Sequence, residues 1–595
     1  MAEQPLLASP ASKLGEQLLD EYFRRDPVFA TSAGDHRFDG LWPNCSPTGL
    51  ESENQWILGA LKRIDRVLML RIRPLPDDQV DLDLLRASLE LLRYEHEVGR
   101  SWFNSPLFYS GIIGSGLDDL VSRDFASAQT RAASVVGRLE GLPRFIDQAI
   151  ANLRQGEVLQ PQAKVAVGQL TGLLELINKE IPDQLAAAPA SLKKRIASAS
   201  PAAIAAVTKF RDITRDELLP KATGEWRLGK EKFARVLKYT LQSSQDADAL
   251  YEMAKQEHEA VRIRMAQLAK ELYLPLFGTE FLSTDTDDQI IRKVLEALAL
   301  DHVQADQFRT ACEENLKRLG AFVRSQNLLP LDSKEVLKVI WTPPSKQGVA
   351  IAGLSAPAPL DAAKPGLPSF YLVQPLPNEW TPQRKESFLR EYNNFLLEIL
   401  SIHEAIPGHF VQGYYAKRVG SKVRRVLGNG AFIEGWGVYA ERMMVEAGYA
   451  GAEPVGEKPK EFSDGLWKVK QDPSLRAKAI ALHGQKFYLR TVTNAILDHA
   501  IHVDGMDETA AVSLMVDKSF QQEGEAHAKW TRAQVSAGQL STYFVGLQDW
   551  LRLREQAKAR AKAKGQVFNL SAYHAAVLSH GSPSISQLPK LLGWS

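Results

Sequence analysis

Apolar residues recur at helical spacing along most of the chain. Leu85, Leu89, Leu92 and His96 fall at i, i+4, i+7 and i+11, which places them on one face of an α-helix. Leu250, Ala254, His258, Val261, Met265 and Leu268 repeat the rhythm over a longer run, with Ser243 or Ser244 standing where a cap belongs. On such apolar faces, His96 and His258 read as packed core histidines. The span 121–219, rich in Ala, Leu, Lys and Gln, predicts three helices with breaks near Gly156–Pro161 and Ala187–Pro189. Between 335 and 377 the pattern changes. Val336–Trp341, Val349–Ala352 and Phe370–Val373 are short β-prone runs separated by Pro343-Pro344 and Lys364–Pro368, which predicts a small sheet. Helices resume near 383 and continue almost to the end. No repeat and no long linker divides the chain. The expected architecture is mainly α, one large domain over 1–595, with lobes 1–330 and 331–595 around a cleft.

Composition narrows the partners. Among the 595 residues, 72 Lys and Arg balance 71 Asp and Glu, so no net field calls for nucleic acid or an anionic membrane. The basic run Lys558–Lys564 reads as the solvated end of a helix. No uninterrupted apolar stretch of about 18 residues marks a membrane span. The two cysteines, Cys45 and Cys312, make no disulfide framework and suggest a reducing compartment. With no basic, apolar leader at the N-terminus, a cytoplasmic location is expected.

The chemistry lies in His403-Glu404-Ala405-Ile406-Pro407-Gly408-His409. A histidine followed directly by glutamate, with a second histidine further on, is zincin logic: imidazoles hold Zn²⁺ and the carboxylate takes a proton from water. In H-E-x-x-H both rings share one helix face. Six residues of regular helix would instead leave the second ring about 120° away. Pro407 and Gly408 lie inside the interval, however, and proline breaks the helical ladder, so a kink there can return His409 to the same side. A zinc hydrolase takes three protein ligands and keeps one position open. Glu434, at the start of a segment after Gly428-Asn429-Gly430, is the candidate third ligand. Glu441, two turns further on, could orient a ligand histidine. No G-x-S-x-G elbow and no phosphate-binding glycine loop is present.

These motifs resemble the domain-of-unknown-function 885 family, itself similar to gluzincin-type metallopeptidases with a helical two-lobed body. Pro27–Asp39, Leu228–Phe233, Pro368–Tyr371, Asp498–Gly505, Gly538–Gly546 and Gly581–Pro583 extend the likeness over most of the chain. Phe410 stands where the family often has another histidine, the segment before Gly538 lacks its frequent Trp-Pro, and the tail 554–566 is unusually basic. The resemblance implies a zinc hydrolase, one ion on His403, His409 and Glu434, with Glu404 as general base for attack on an amide carbonyl of a short peptide. Tyr543 and His502, in the later motifs, are the candidate oxyanion donors, with Tyr439 behind them. Tyr371 could help an extended peptide pair with a sheet edge. Two alternatives stay open: a metal-dependent enzyme acting on a non-peptide small molecule, and a scaffold with a vestigial site.

Overall fold

The computed structural model describes residues 9–69, 74–243, 245–343, 351–361, 367–377 and 380–594. Ser244, Pro344, Val349, Ala350 and the Lys364–Gly366 turn lie outside them. Helices dominate, and each follows its apolar stripe. Pro76–Tyr94 buries Leu82, Leu85 and Leu89 against Ile57, Ile64 and Leu18. The predicted three-helix span is Ala128–Leu153, Gln160–Glu175 and Ala190–Ile213, packed around Val135, Leu139, Ile146, Leu170 and Phe210. Ala247–Phe277 buries Leu250, Ala254, His258, Val261 and Met265. Its cap is Asp246 rather than Ser243: the Asp246 carboxylate accepts from the N–H groups of Asp248 and Ala249, and it also complements the positive helix end. His258 is a core residue, its Nε2 3.1 Å from Ser519 Oγ.

The largest core runs from Phe233 to Leu588 and joins residues on both sides of position 330. At its centre, the helices Gly430–Glu446 and Thr542–Ala563 cross backbone to backbone. A Cβ on Gly435 would lie 2.4 Å from the Gly546 Cα, so only glycine permits this approach. Trp436 and Trp550 fill the space beside the crossing.

The small sheet has three strands, β1 (Leu337–Trp341), β2 (Ala352–Ser355) and β3 (Ser369–Val373). Their order is β1-β3-β2, with β1 parallel and β2 antiparallel to β3. Tyr371 therefore sits on the central strand, opposite Val339 and Leu354. It is fully buried, with its hydroxyl 3.4 Å from Ser401 Oγ. This corrects the expectation that Tyr371 serves a sheet edge. The edge is β2.

Candidate metal centre

The helix Asn394–Glu404 is apolar on nearly every side, burying Phe395, Leu396, Leu397, Ile399, Leu400 and Ile402. It is held at its start by the Asn393 side chain, which accepts from the N–H groups of Phe395 and Leu396. It stops at Glu404 because Pro407 cannot continue it. Ala405 to Gly408 are non-helical, the Ile406–Pro407 peptide is cis, and a new helix runs from His409 to Ala416. Gly408 donates to the Ile402 carbonyl at 3.0 Å. A Cβ at Gly408 would lie 1.9 Å from the His403 carbonyl oxygen, so the turn closes only on glycine. The break undoes the angular mismatch of a six-residue interval. The His403 and His409 rings come to 4.6 Å between centroids, nearly perpendicular.

Glu434 enters from the helix Gly430–Glu446, capped by Asn429, whose side chain accepts from the Phe432 N–H. Glu434 Oε2 lies 3.6 Å from His403 Nε2 and 3.3 Å from His409 Nε2. The three donors lie within 4.8 Å of one another. Bonds of about 2.0–2.2 Å to one tetrahedral zinc would set donors about 3.3–3.6 Å apart, so both distances from Glu434 match that spacing. Two turns beyond Glu434, buried Glu441 places Oε1 2.5 Å from His403 Nδ1, leaving Nε2 for the ion. Between them Gly437 lets the helix lie flat on the imidazole: a Cβ there would be 2.6 Å from His403 Cε1. The Trp436 indole donates to the Pro407 carbonyl at 2.9 Å, tying the break to this helix.

The electrostatics agree with a cation at this point. Burial works to lower the basicity of His403, but hydrogen bonds to Glu434 and Glu441 and the charges of Glu441 and Glu404 outweigh it and hold its imidazolium well above the usual range. Burial likewise works to raise Glu434, yet the two histidines pull its carboxyl well below the usual range. Burial raises Glu441. So many carboxylates around two imidazoles need positive charge among them, either protons or a metal. Two histidines and a glutamate with an oriented imidazole fit a divalent ion such as zinc. Glu434 keeps 23% of its side-chain surface accessible, so the donors can be reached from solvent. Glu404 is half-buried beside them, and its Oε2 accepts from the Leu354 N–H at 3.2 Å, on the side of β2 away from β3.

A family model described as bacterial protein of unknown function (DUF885) matches residues 27–592. The chain belongs to the DUF885 family. Two solved structures share the DUF885 fold seen here over nearly their whole length. The "putative lipoprotein of unknown function" from Shewanella oneidensis is 28% identical, with a TM-score of 0.78 over 99% of this chain and 100% of its own. The "putative lipoprotein" from Colwellia psychrerythraea is 17% identical, with a TM-score of 0.74 over 98% of both chains. No curated protein matches the chain.

The names of these two relatives overturn the expected cytoplasmic location of this DUF885 chain. The two free thiols do not report on the compartment. Cys45 and Cys312 are buried in separate cores and cannot pair in any compartment. No helix among the described residues is long and apolar enough to cross a membrane.

The remaining predicted residues of the DUF885 motifs divide. Tyr543 comes to the site, its ring 6.3 Å from His403 between centroids and nearly parallel to it. His502 does not. It lies fifteen residues beyond Phe487 on the helix Pro473–His502, about 22 Å along the axis at 1.5 Å per residue, and Phe487 is the residue that meets His403. His502 is buried, with Nε2 3.0 Å from the carbonyl oxygens of both Ala533 and Ser536. Asp498, one turn earlier, accepts from the N–H groups of Gly538 and Ser541. These two residues hold the turn that delivers Tyr543, so the motif acts on the site through that turn. Tyr439 is also structural, fully buried with its hydroxyl 2.8 Å from His574 Nε2. Gln412 and Asn429 both bond to Ser582, which braces the two ligand-bearing segments with the closing motif. Phe487 had no signal in the sequence, since an aromatic on a helix is ordinarily core.

Proposed function

We propose that this DUF885 protein is a zinc-dependent hydrolase of short peptides, with His403, His409 and Glu434 as ligands of one Zn²⁺ and Glu404 as general base. The observation that carries the reading is the convergence of three donor atoms at metal-binding spacing beside the half-buried Glu404 carboxylate. A zinc ion there would keep one position open, polarise a substrate carbonyl and acidify water. Glu404 takes the proton of the attacking water on its carboxylate and hands it to the leaving amine. Glu441 keeps the His403 ring in the tautomer and orientation a ligand needs. The outer edge of β2 next to Glu404 suits an extended peptide, which would add to the sheet as a further strand. The same donor set, a His-Glu pair, a second His and a Glu from the next helix, is that of gluzincin-type peptidases, and the helical body is in keeping with that likeness.

The test is metal analysis of the purified protein together with cleavage of a peptide library by wild type and Glu404→Gln. One zinc per chain is expected in both, with cleavage by the variant lower by about 10² or more. Cleavage persisting in Glu404→Gln would remove the general base, and loss of no metal on His403→Ala would remove the site.

A further inference from the structure

The helix Glu523–Val535 carries Glu525, Lys529 and Arg532 at i, i+4 and i+7, one face. That face meets the helix of Phe487 and Arg490, and both sides lead back to the metal centre. Arg490 lies 5.6 Å over the Phe487 ring, which is itself 6.0 Å from the His403 ring. Arg532 donates to Gln539 Oε1 at 2.7 Å and reaches the Tyr543 hydroxyl at 3.4 Å, and Tyr543 stacks on His403.

The charges of this group do not balance. Glu525 is engaged by Arg490 at 3.3 Å and by the Tyr392 hydroxyl. The neighbouring Glu391 is taken by Lys486 at 2.8 Å. Lys529 is only 7% accessible and has no hydrogen-bond or ion-pair partner among the described residues. Burial, together with the charges of Arg490 and Arg532, pushes its ammonium well below the usual lysine range, with Glu525 the lone opposing charge. Arg490 and Lys529 both face Glu525, and Arg532 flanks Lys529 on the other side. An anion from outside would restore the charged form of Lys529 and complete the set with Arg490 and Arg532. The group is reachable, since Arg490 and Glu525 keep 26% and 17% of their side-chain surfaces accessible.

We propose that Arg490, Lys529 and Arg532 form a subsite for the C-terminal carboxylate of the substrate, so that cleavage takes place within a few residues of a free C-terminus. The inference rests on the peptidase reading above. The two ring contacts keep the Arg490 guanidinium within about 12 Å of the His403 ring, the reach of three or four residues of extended chain. That span fits a carboxylate on the substrate better than a separate effector.

The test is binding of an N-acetylated tripeptide to the zinc-loaded Glu404→Gln protein by calorimetry, as the C-terminal acid and as the C-terminal amide. The acid is expected to bind at least about tenfold more tightly, the value of one charge-assisted hydrogen bond. The ratio should fall below threefold in Lys529→Met and, independently, in the exposed-side variant Arg532→Gln. Equal affinity for acid and amide in the parent protein, including none for either, overturns the subsite. Wild-type cleavage of the two peptides is read separately. If neither is cut while the acid preference in binding persists, the hydrolase reading fails and the subsite stands. If both are cut and bound equally, the subsite fails and the hydrolase stands.

Discussion

Gly437→Ala isolates the metal site from the rest of the fold. The added methyl would meet His403 Cε1 at 2.6 Å, Nδ1 at 2.8 Å and Nε2 at 2.9 Å. Carbon contacts settle at about 3.5 Å or more, so the ring must retreat by roughly 0.6–0.9 Å. A functional constellation tolerates about 0.5 Å. The ring cannot turn away freely, because Glu441 holds Nδ1 from a buried position. The expected consequence is a fall in zinc affinity of about tenfold or more, at least ~1.4 kcal/mol. Metal-free stability should move far less. Alanine gains about 1 kcal/mol over glycine inside a helix, against about 1–3 kcal/mol of overpacking, a net loss of no more than about 2 kcal/mol. Competition with a chromophoric chelator measures the affinity, and urea unfolding of the metal-free protein measures the fold. Zinc affinity within threefold of wild type would refute the claim that this imidazole is a ligand held against Gly437.

Four further outcomes are expected. Zinc affinity should rise with pH between 6 and 8, because the His403 proton must leave before the metal binds; a flat profile in chelator competition would count against His403. For the metal-free fold the signs follow from the two shifts. Raised His403 contributes stability fully below 6.5 and loses it as pH rises through its folded value, while lowered Glu434 contributes above 4.5 and loses it as pH falls through its own. Urea midpoints should therefore decline toward both acid and alkali, and midpoints that do not change with pH would contradict the pairing. His502→Ala should lower stability by about 1–3 kcal/mol, as the two carbonyls lose their donor, with zinc content unchanged; loss of zinc would instead return His502 to the metal. Gly408→Ala places a Cβ 1.9 Å and 2.3 Å from two backbone carbonyl oxygens and should cost about 3 kcal/mol or more, so an unchanged urea midpoint would show that the turn closes in another way.

What was legible in the sequence is what local physics governs. Periodicity placed the helices and their breaks, because burying an amphipathic stripe depends on spacing within one segment. Of the run Val349–Ala352, Val349 and Ala350 lie outside the described residues, and the strand seen there is Ala352–Ser355, with bounds set by pairing to β3. The His-Glu pair and the second histidine could be read as one site because Pro407 and Gly408, which make the required break, lie within the same seven residues. Glu434 and Glu441 followed from a two-turn interval on a single helix. Long-range packing decided the rest. Tyr543 and His502 had equal standing as motif residues, yet one stacks on His403 and the other braces a turn. The β-prone run around Tyr371 suggests a sheet edge, and strand order puts it in the middle. Phe487 meets His403, and Arg490, Lys529 and Arg532 gather beyond it, from segments 80 to 130 residues downstream in sequence, with no spacing to announce them. Their positions follow from how whole helices dock, driven by buried surface far from the metal, and one chain's order of residues does not contain that geometry in any local pattern.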